Sequence, residues 1–156
     1  MDKFGINRLF RAIGRTLGSV ESFTGGAFAH EITSVPGASH FFKGALVTYA
    51  TEEKVRLLGI PYKDIDEHGV VSKEIAGMMA SNAKRLLNVD YCVSFTGNAG
   101  PSAMENKPVG EVHIAIAFYD KTQVFSYQLE GSREEIQTQA IDIAYDLLEK
   151  AVLENN

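Results

Sequence analysis

The stretch Glu21–Ser22–Phe23–Thr24–Gly25–Gly26 joins a short strand pattern, residues 18–23, to a helical pattern carrying Ala27, Phe28, Ala29 and Ile32. A hydroxyl at a strand-to-helix turn, followed by two residues without bulk, is how an α/β protein presents a nucleophile beside free backbone N–H groups. Those amides can hold a developing oxyanion or an anionic ligand. The same turn also reads as an ordinary N-cap loop. Its meaning therefore depends on two later segments, Tyr49 to Lys54 and Gly97 to Pro108.

Outward from this turn, residues 4–14 predict a first helix through Phe4, Leu9, Phe10 and Ile13. The helix over residues 25–35 closes at Pro36–Gly37. A strand over 43–49 leads to a helix over 51–58, with Thr51 as its expected cap and Gly59 and Pro61 ending it. Residues 61–69, PYKDIDEHG, read as a loop. Ile75, Met78, Met79, Ala83, Leu86 and Leu87 then form a broad apolar stripe on a helix. Asp90 to Thr96 is a central-strand candidate, and 97–109 is a polar loop. Two alternating strands, 110–119 and 121–129, meet in a hairpin. Ser132 and Glu135 form a capping box for a last helix through Ile136, Ala140, Ala144, Leu148 and Ala151. This order predicts an α/β fold, a three-layer α/β/α sandwich around a mixed sheet with an antiparallel hairpin near its edge.

The 156 residues, 45% hydrophobic and 22% charged, fit one domain spanning residues 1–156. No stretch approaches the roughly 20 apolar residues needed to cross a bilayer, so no membrane partner is expected. The N-terminal segment carries Lys3, Arg8, Arg11 and Arg15 but lacks the compact apolar core of a signal peptide. It is expected to be an amphipathic helix of a cytoplasmic protein. A net charge of −5, spread rather than blocked, argues against a nucleic-acid partner. The one cysteine, Cys92, lies in a strand run and reads as core filler.

Ser22 is the first candidate nucleophile, although no G-x-S-x-G elbow surrounds it and no histidine occupies a nucleophile-linked motif. A lysine can serve as its base if it is partly desolvated or held near another cation, so that the amine pKa falls from about 10.4 toward 7. Lys54 suits that role, because a cation in the first turn of a helix is disfavoured; a solvated surface lysine is the alternative. Tyr49 can pass a proton, orient substrate, or simply end a strand. Gly97, Asn98, Gly100 and Ser102 lie in a loop after a central strand, where ligands of open α/β sheets bind. A long turn stabilised by Gly and Pro explains that loop equally. Arg133 can pair with a phosphate or carboxylate, or lie on the surface. Asp64, Asp66 and His68 form D-x-D-x-H, but without a further convergent ligand no metal is expected. No cofactor motif is present.

Together these segments resemble the C-terminal domain of the competence/damage-inducible protein CinA and its stand-alone relatives, the nicotinamide mononucleotide deamidases called PncC. The resemblance is carried by ESFTGG at 21–26, VPGAS at 35–39 and GALVTYATEEKVRLLGIP at 44–61. It continues in HGVVS at 68–72, FTGNAGP at 95–101, KPVGEVHIA at 107–115 and EGSREEIQTQA at 130–140. Departures from the family pattern are Phe23 for a cysteine, Asn98 for an apolar residue, and Ser102–Ala103–Met104 where glycines are usual.

The resemblance implies a serine/lysine amidohydrolase that converts nicotinamide mononucleotide to nicotinic acid mononucleotide and ammonia. By position, Ser22 matches the nucleophile, Lys54 its partner, Tyr49 the preceding tyrosine and Arg133 the arginine near the last helix. Thr24, Gly25 and Gly26, with Gly97, Asn98, Gly100 and Ser102, are the expected substrate-binding set. The implied partner is a phosphorylated pyridine nucleoside, with no cofactor, in a homo-oligomer. The alternative is a non-catalytic nucleotide-binding or interaction module.

Overall fold

The strand segments are β1 (Leu17–Glu21), β2 (Phe42–Val47), β3 (Tyr91–Gly97), β4 (Glu111–Phe118) and β5 (Lys121–Gln128). In the computed structural model, which describes residues 1–155, they form one sheet in the order β2–β1–β3–β4–β5. β1 runs parallel to both β2 and β3, whereas β4 and β5 continue the sheet antiparallel. The sheet is therefore mixed, with the hairpin at one edge. All five residues of β1 are buried, as expected of a strand covered on both faces.

Six helices surround the sheet: α1 (Lys3–Ile13), α2 (Ala27–Thr33), α3 (Thr51–Arg56), α4 (Tyr62–His68), α5 (Lys73–Leu87) and α6 (Arg133–Asn155). The alternation of side chains along β3 assigns them to layers. Tyr91, Val93 and Phe95 pack with Ile6 and Phe10 of α1, Phe28 of α2 and Ala144 of α6. Cys92, one position out of phase, packs on the other side with Ile65 of α4 and Ile75 and Met79 of α5. Ala76 and Ala80 meet Ala115 and Ala117, so small residues on both sides bring α5 close to β4. Polar side chains on that face are satisfied by backbone: Ser94 Oγ donates to Ala76 O at 2.7 Å and Thr96 Oγ1 to Val70 O at 2.6 Å.

Three local expectations change. Residues 62–68 are helix α4 rather than loop. Only Ile65 of α4 is buried, so the segment has no apolar stripe to announce it. Thr51 is the first helical residue of α3 and caps nothing through its side chain; Ala50 holds the cap position. β2 ends at Val47, which leaves Tyr49 in the link to α3. The capping box of α6 forms as expected, with Glu135 N donating to Ser132 Oγ and Ser132 N to Glu135 Oε1. Among the described residues no helix is long and apolar enough to cross a membrane.

Candidate active site

Ser22 stands one residue past the carboxyl end of β1, between two parallel neighbours, where an open sheet forms its ligand crevice. Its amide donates to Phe95 O at 3.0 Å, which extends the β1–β3 pairing by one step and fixes the backbone under the hydroxyl. The chain then turns through Gly25 (φ 60°) and Gly26 (φ 98°) into α2. These left-handed conformations are what the two glycines supply. Phe23 does not crowd the turn, because its ring is buried in the main core. Its carbonyl accepts from Gln137 Nε2 at 2.7 Å, which ties the turn to α6.

Glu21 holds the turn from beneath. Its fully buried carboxylate accepts from Phe28 N at 3.0 Å and Ala29 N at 3.1 Å, and from Ser19 Oγ at 3.3 Å. A carboxylate on the first free amides of a helix is favoured by hydrogen bonding and by the local dipole. Ser22 is thus anchored on both sides: by β3 through its own amide and by α2 through its neighbour.

Lys54 enters from α3. It is only 1% exposed, and its Nζ lies 2.9 Å from Ser22 Oγ, 2.6 Å from Thr48 O and 3.5 Å from Tyr49 O. Two carbonyls and one hydroxyl match a neutral amine, which has two N–H donors and one lone pair. Burial lowers the Lys54 pKa from 10.5 to about 8, against the opposing field of Glu105. Desolvation is therefore the main cause, as a lysine base of this kind requires. At pH 7 about a tenth of the molecules then carry the neutral amine.

A cleft of about 140 Å³ opens beside Ser22, with Tyr49, Gly97, Asn98 and Arg133 in its wall. Phe23, Ala99 and Met104 complete the lining and were not expected there. Arg133 donates from one guanidinium nitrogen to Gly100 O at 2.6 Å and from the other to the Tyr49 hydroxyl at 3.0 Å. Both partners are neutral, and Arg133 has no ion pair among the described residues, so its charge remains free for an anion. The Tyr49 hydroxyl is bonded to Arg133 and not to the Ser22–Lys54 pair.

Other expected binding residues hold the site together from within. Asn98 Oδ1 accepts from Gly100 N at 3.1 Å and Asn98 Nδ2 donates to Lys107 O at 3.4 Å, so the side chain staples its own loop. Asn98 N and Gly100 N are likewise engaged. Gly97 is required by packing: a Cβ there would stand 2.7 Å from Val112 Cγ1. Thr24 is buried, with an unpartnered Oγ1, and does not line the cleft; neither does the exposed Ser102. In the 23–26 turn, by contrast, the amides of Phe23, Thr24 and Gly26 donate to no acceptor among the described residues. Asp64, Glu67 and His68 converge at the α4 surface away from this cleft, with Asp66 outside the group.

The family model described as CinA C-terminal domain matches residues 4–152. This chain belongs to the CinA C-terminal domain family. A Streptococcus pneumoniae (strain ATCC 700669 / Spain 23F-1) protein named as a competence-damage inducible protein is 42% identical over 141 residues, 90% of this chain and 34% of that protein. A Streptococcus gordonii protein of the same name is 40% identical over 146 residues, 93% of this chain and 35% of that one. The chain thus spans about a third of the length of the curated relatives it matches. Among solved structures, the competence damage-inducible protein A (ComA) of Klebsiella pneumoniae superposes with a TM-score of 0.96 at 25% identity. That match covers 99% of this chain and 96% of the other. The competence/damage inducible protein CihA of Agrobacterium tumefaciens gives 0.91 at 29% identity, covering 96% and 92%. The three-layer α/β/α fold is the CinA fold.

Proposed function

We propose that this CinA-family domain is a serine/lysine amidohydrolase that deamidates nicotinamide mononucleotide. The observation that carries the reading is the 2.9 Å approach of a buried Lys54 amine to the Ser22 hydroxyl at the cleft floor. A lysine kept from water beside a hydroxyl has one evident chemical use, to take that proton as the oxygen attacks.

In the proposed reaction, Ser22 Oγ forms a bond to the carboxamide carbon while neutral Lys54 accepts the hydroxyl proton. The carbonyl oxygen gains the electron pair and is stabilised by free backbone amides at the cleft, that of Phe23 in the turn first among them. Those of Asn98 and Gly100 are already used, which leaves Ala99 as the one further candidate donor from the loop. Collapse of the tetrahedral intermediate breaks the C–N bond, and the Lys54 ammonium protonates the departing nitrogen as ammonia. Water then adds to the acyl ester, losing its proton to Lys54, and Ser22 leaves with that proton restored. Arg133, permanently cationic at the cleft wall, suits the substrate's phosphate. Tyr49 orients Arg133 through their hydrogen bond.

The experiment is ammonia release from nicotinamide mononucleotide, with nicotinamide and simple amides alongside. Turnover of the mononucleotide alone is the expected result; none by a folded protein overturns the reading. A second reading, a non-catalytic nucleotide-binding module, is favoured by the relatives being about three times longer than the matched segment. It predicts mononucleotide binding without ammonia.

A further inference from the structure

The loop between β3 and β4 borders the cleft through Met104, and the next residue leaves for another part of the molecule. The Glu105 carboxylate reaches the α4–α5 turn, where Oε1 accepts from Val70 N at 3.0 Å and Oε2 from Val71 N at 3.3 Å. Val70 and Val71 are buried, so without Glu105 these two donors lose their partner. Gly69 makes room for the contact: a Cβ on it would stand 2.5 Å from Glu105 Oε2. Glu105 (φ 54°) and Asn106 (φ 58°) both hold left-handed backbone, uncommon for residues with a side chain. Lys107 N closes this tight turn on Met104 O at 2.7 Å. The loop adopts a disfavoured local path, and the charge-assisted pair of hydrogen bonds to Val70 and Val71 is what offsets it.

We propose that Glu105 is a positioning residue: its carboxylate pins the 98–109 loop to the α4–α5 turn and so fixes Met104 in the cleft wall. It joins the border of the cleft to the turn that leads into α5, which packs on the opposite sheet face from α6. The Coulomb field of Glu105 raises the Lys54 pKa, opposing burial. Other ionisable groups near Lys54 are disposed differently. Tyr49 and Arg133 bond to each other, Glu53 pairs with Arg56 on α3, and Glu52 is exposed. Glu21 is turned into α2, and Lys73 and Glu74 at the start of α5 are exposed. This role rests on the Ser22–Lys54 reading only where activity is the readout.

Two variants grade the pin. Glu105→Gln removes the charge and keeps one of the two acceptor oxygens; Glu105→Ala removes both. In Glu105→Ala, amide hydrogen exchange at Val70 and Val71 should accelerate on the order of tenfold or more, with global Tm near wild type. In Glu105→Gln, the midpoint pH of Lys54 acylation by an amine-reactive reagent, followed by mass spectrometry, should fall. In turnover assays Glu105→Ala should raise KM on the order of fivefold with a smaller change in kcat, and Glu105→Gln should shift the rising limb of kcat/KM to lower pH. Unchanged exchange at Val70 and Val71 in Glu105→Ala, or an unchanged KM in that variant while wild type is active, overturns the proposal. If exchange accelerates while wild type releases no ammonia, Glu105 keeps its role and the amidase reading is what fails.

Discussion

Lys54 Nζ meets Ser22 Oγ at 2.9 Å although 32 positions of chain separate them. The approach is a consequence of strand order. β1 and β2 are parallel neighbours, and the residues just past their carboxyl ends share one edge of the sheet. Ser22 follows β1 directly, and the short link after β2 delivers α3, so the fourth residue of α3 points back across the strand ends. Glu21 O accepts from Thr48 N at 2.9 Å and keeps those ends in step.

Replacing either member of this pair should separate activity from folding. Ser22→Ala removes the hydroxyl and is expected to lower ammonia release on the order of 10³-fold or more, with Tm shifted by no more than a few degrees. Lys54→Met should be as inactive yet at least as stable as wild type, because an apolar chain of similar length replaces a buried amine. Thermal melts beside the ammonia assay check both. Ammonia release by Ser22→Ala at the wild-type rate removes the assigned nucleophile.

Lys54 also sets a pH dependence of opposite origin in activity and stability. In the proposed mechanism the neutral amine is the active form, so kcat/KM should rise about tenfold per pH unit below pH 8 and level off above it. For stability, the folded pKa of about 8 lies below the unfolded 10.5. Between these values the unfolded chain binds the extra proton, so stability increases as pH rises through that window. Below about pH 8 both states are protonated and the full burial penalty applies. The gain is at most about 3 kcal/mol for this shift. Denaturant melts of wild type and Lys54→Met at pH 7.5 and 10 test it, since the variant should lack this increment.

Glu21 is predicted to matter for stability more than its neighbour Ser22. Glu21→Ala leaves the Phe28 and Ala29 amides without their acceptor inside the core and opens a cavity under the turn. A loss of about 2–4 kcal/mol is expected from urea melts. Glu21→Gln should lose less, because one acceptor oxygen remains. Equal stability of Glu21→Ala and wild type would show that α2 does not depend on this cap.

The layers were legible because they rest on local pattern, alternation along β3 and the stripe of α5, whereas the Ser22–Lys54 pairing was legible only through the spaced motifs of the family resemblance, since local pattern alone also fits a surface lysine. What escaped depends on partners distant in sequence. Asn98 looked like a substrate donor, since nothing in its neighbourhood says that Lys107 O and Gly100 N occupy its amide. Glu105 carried no signal, because its partners lie 34 and 35 residues upstream. Helix α4 was read as loop because a seven-residue helix with one buried side chain has no periodicity to detect.

Arg133 offers the sharpest test of substrate class. Its guanidinium is held by two neutral groups, Gly100 O and the Tyr49 hydroxyl, so its charge has no partner in the protein among the described residues. Charge-assisted contact with a phosphate contributes about 1.5–3 kcal/mol, or on the order of ten- to a hundredfold in KM. Arg133→Gln should therefore raise KM for nicotinamide mononucleotide by that factor while leaving KM for the unphosphorylated riboside almost unaffected. Arg133→Lys should recover only part of the loss, since a lysine cannot span Gly100 O and Tyr49 with a planar fork. An equal effect on both substrates would assign Arg133 to holding Tyr49 and the 97–100 loop in place, and would move the phosphate to another part of the cleft.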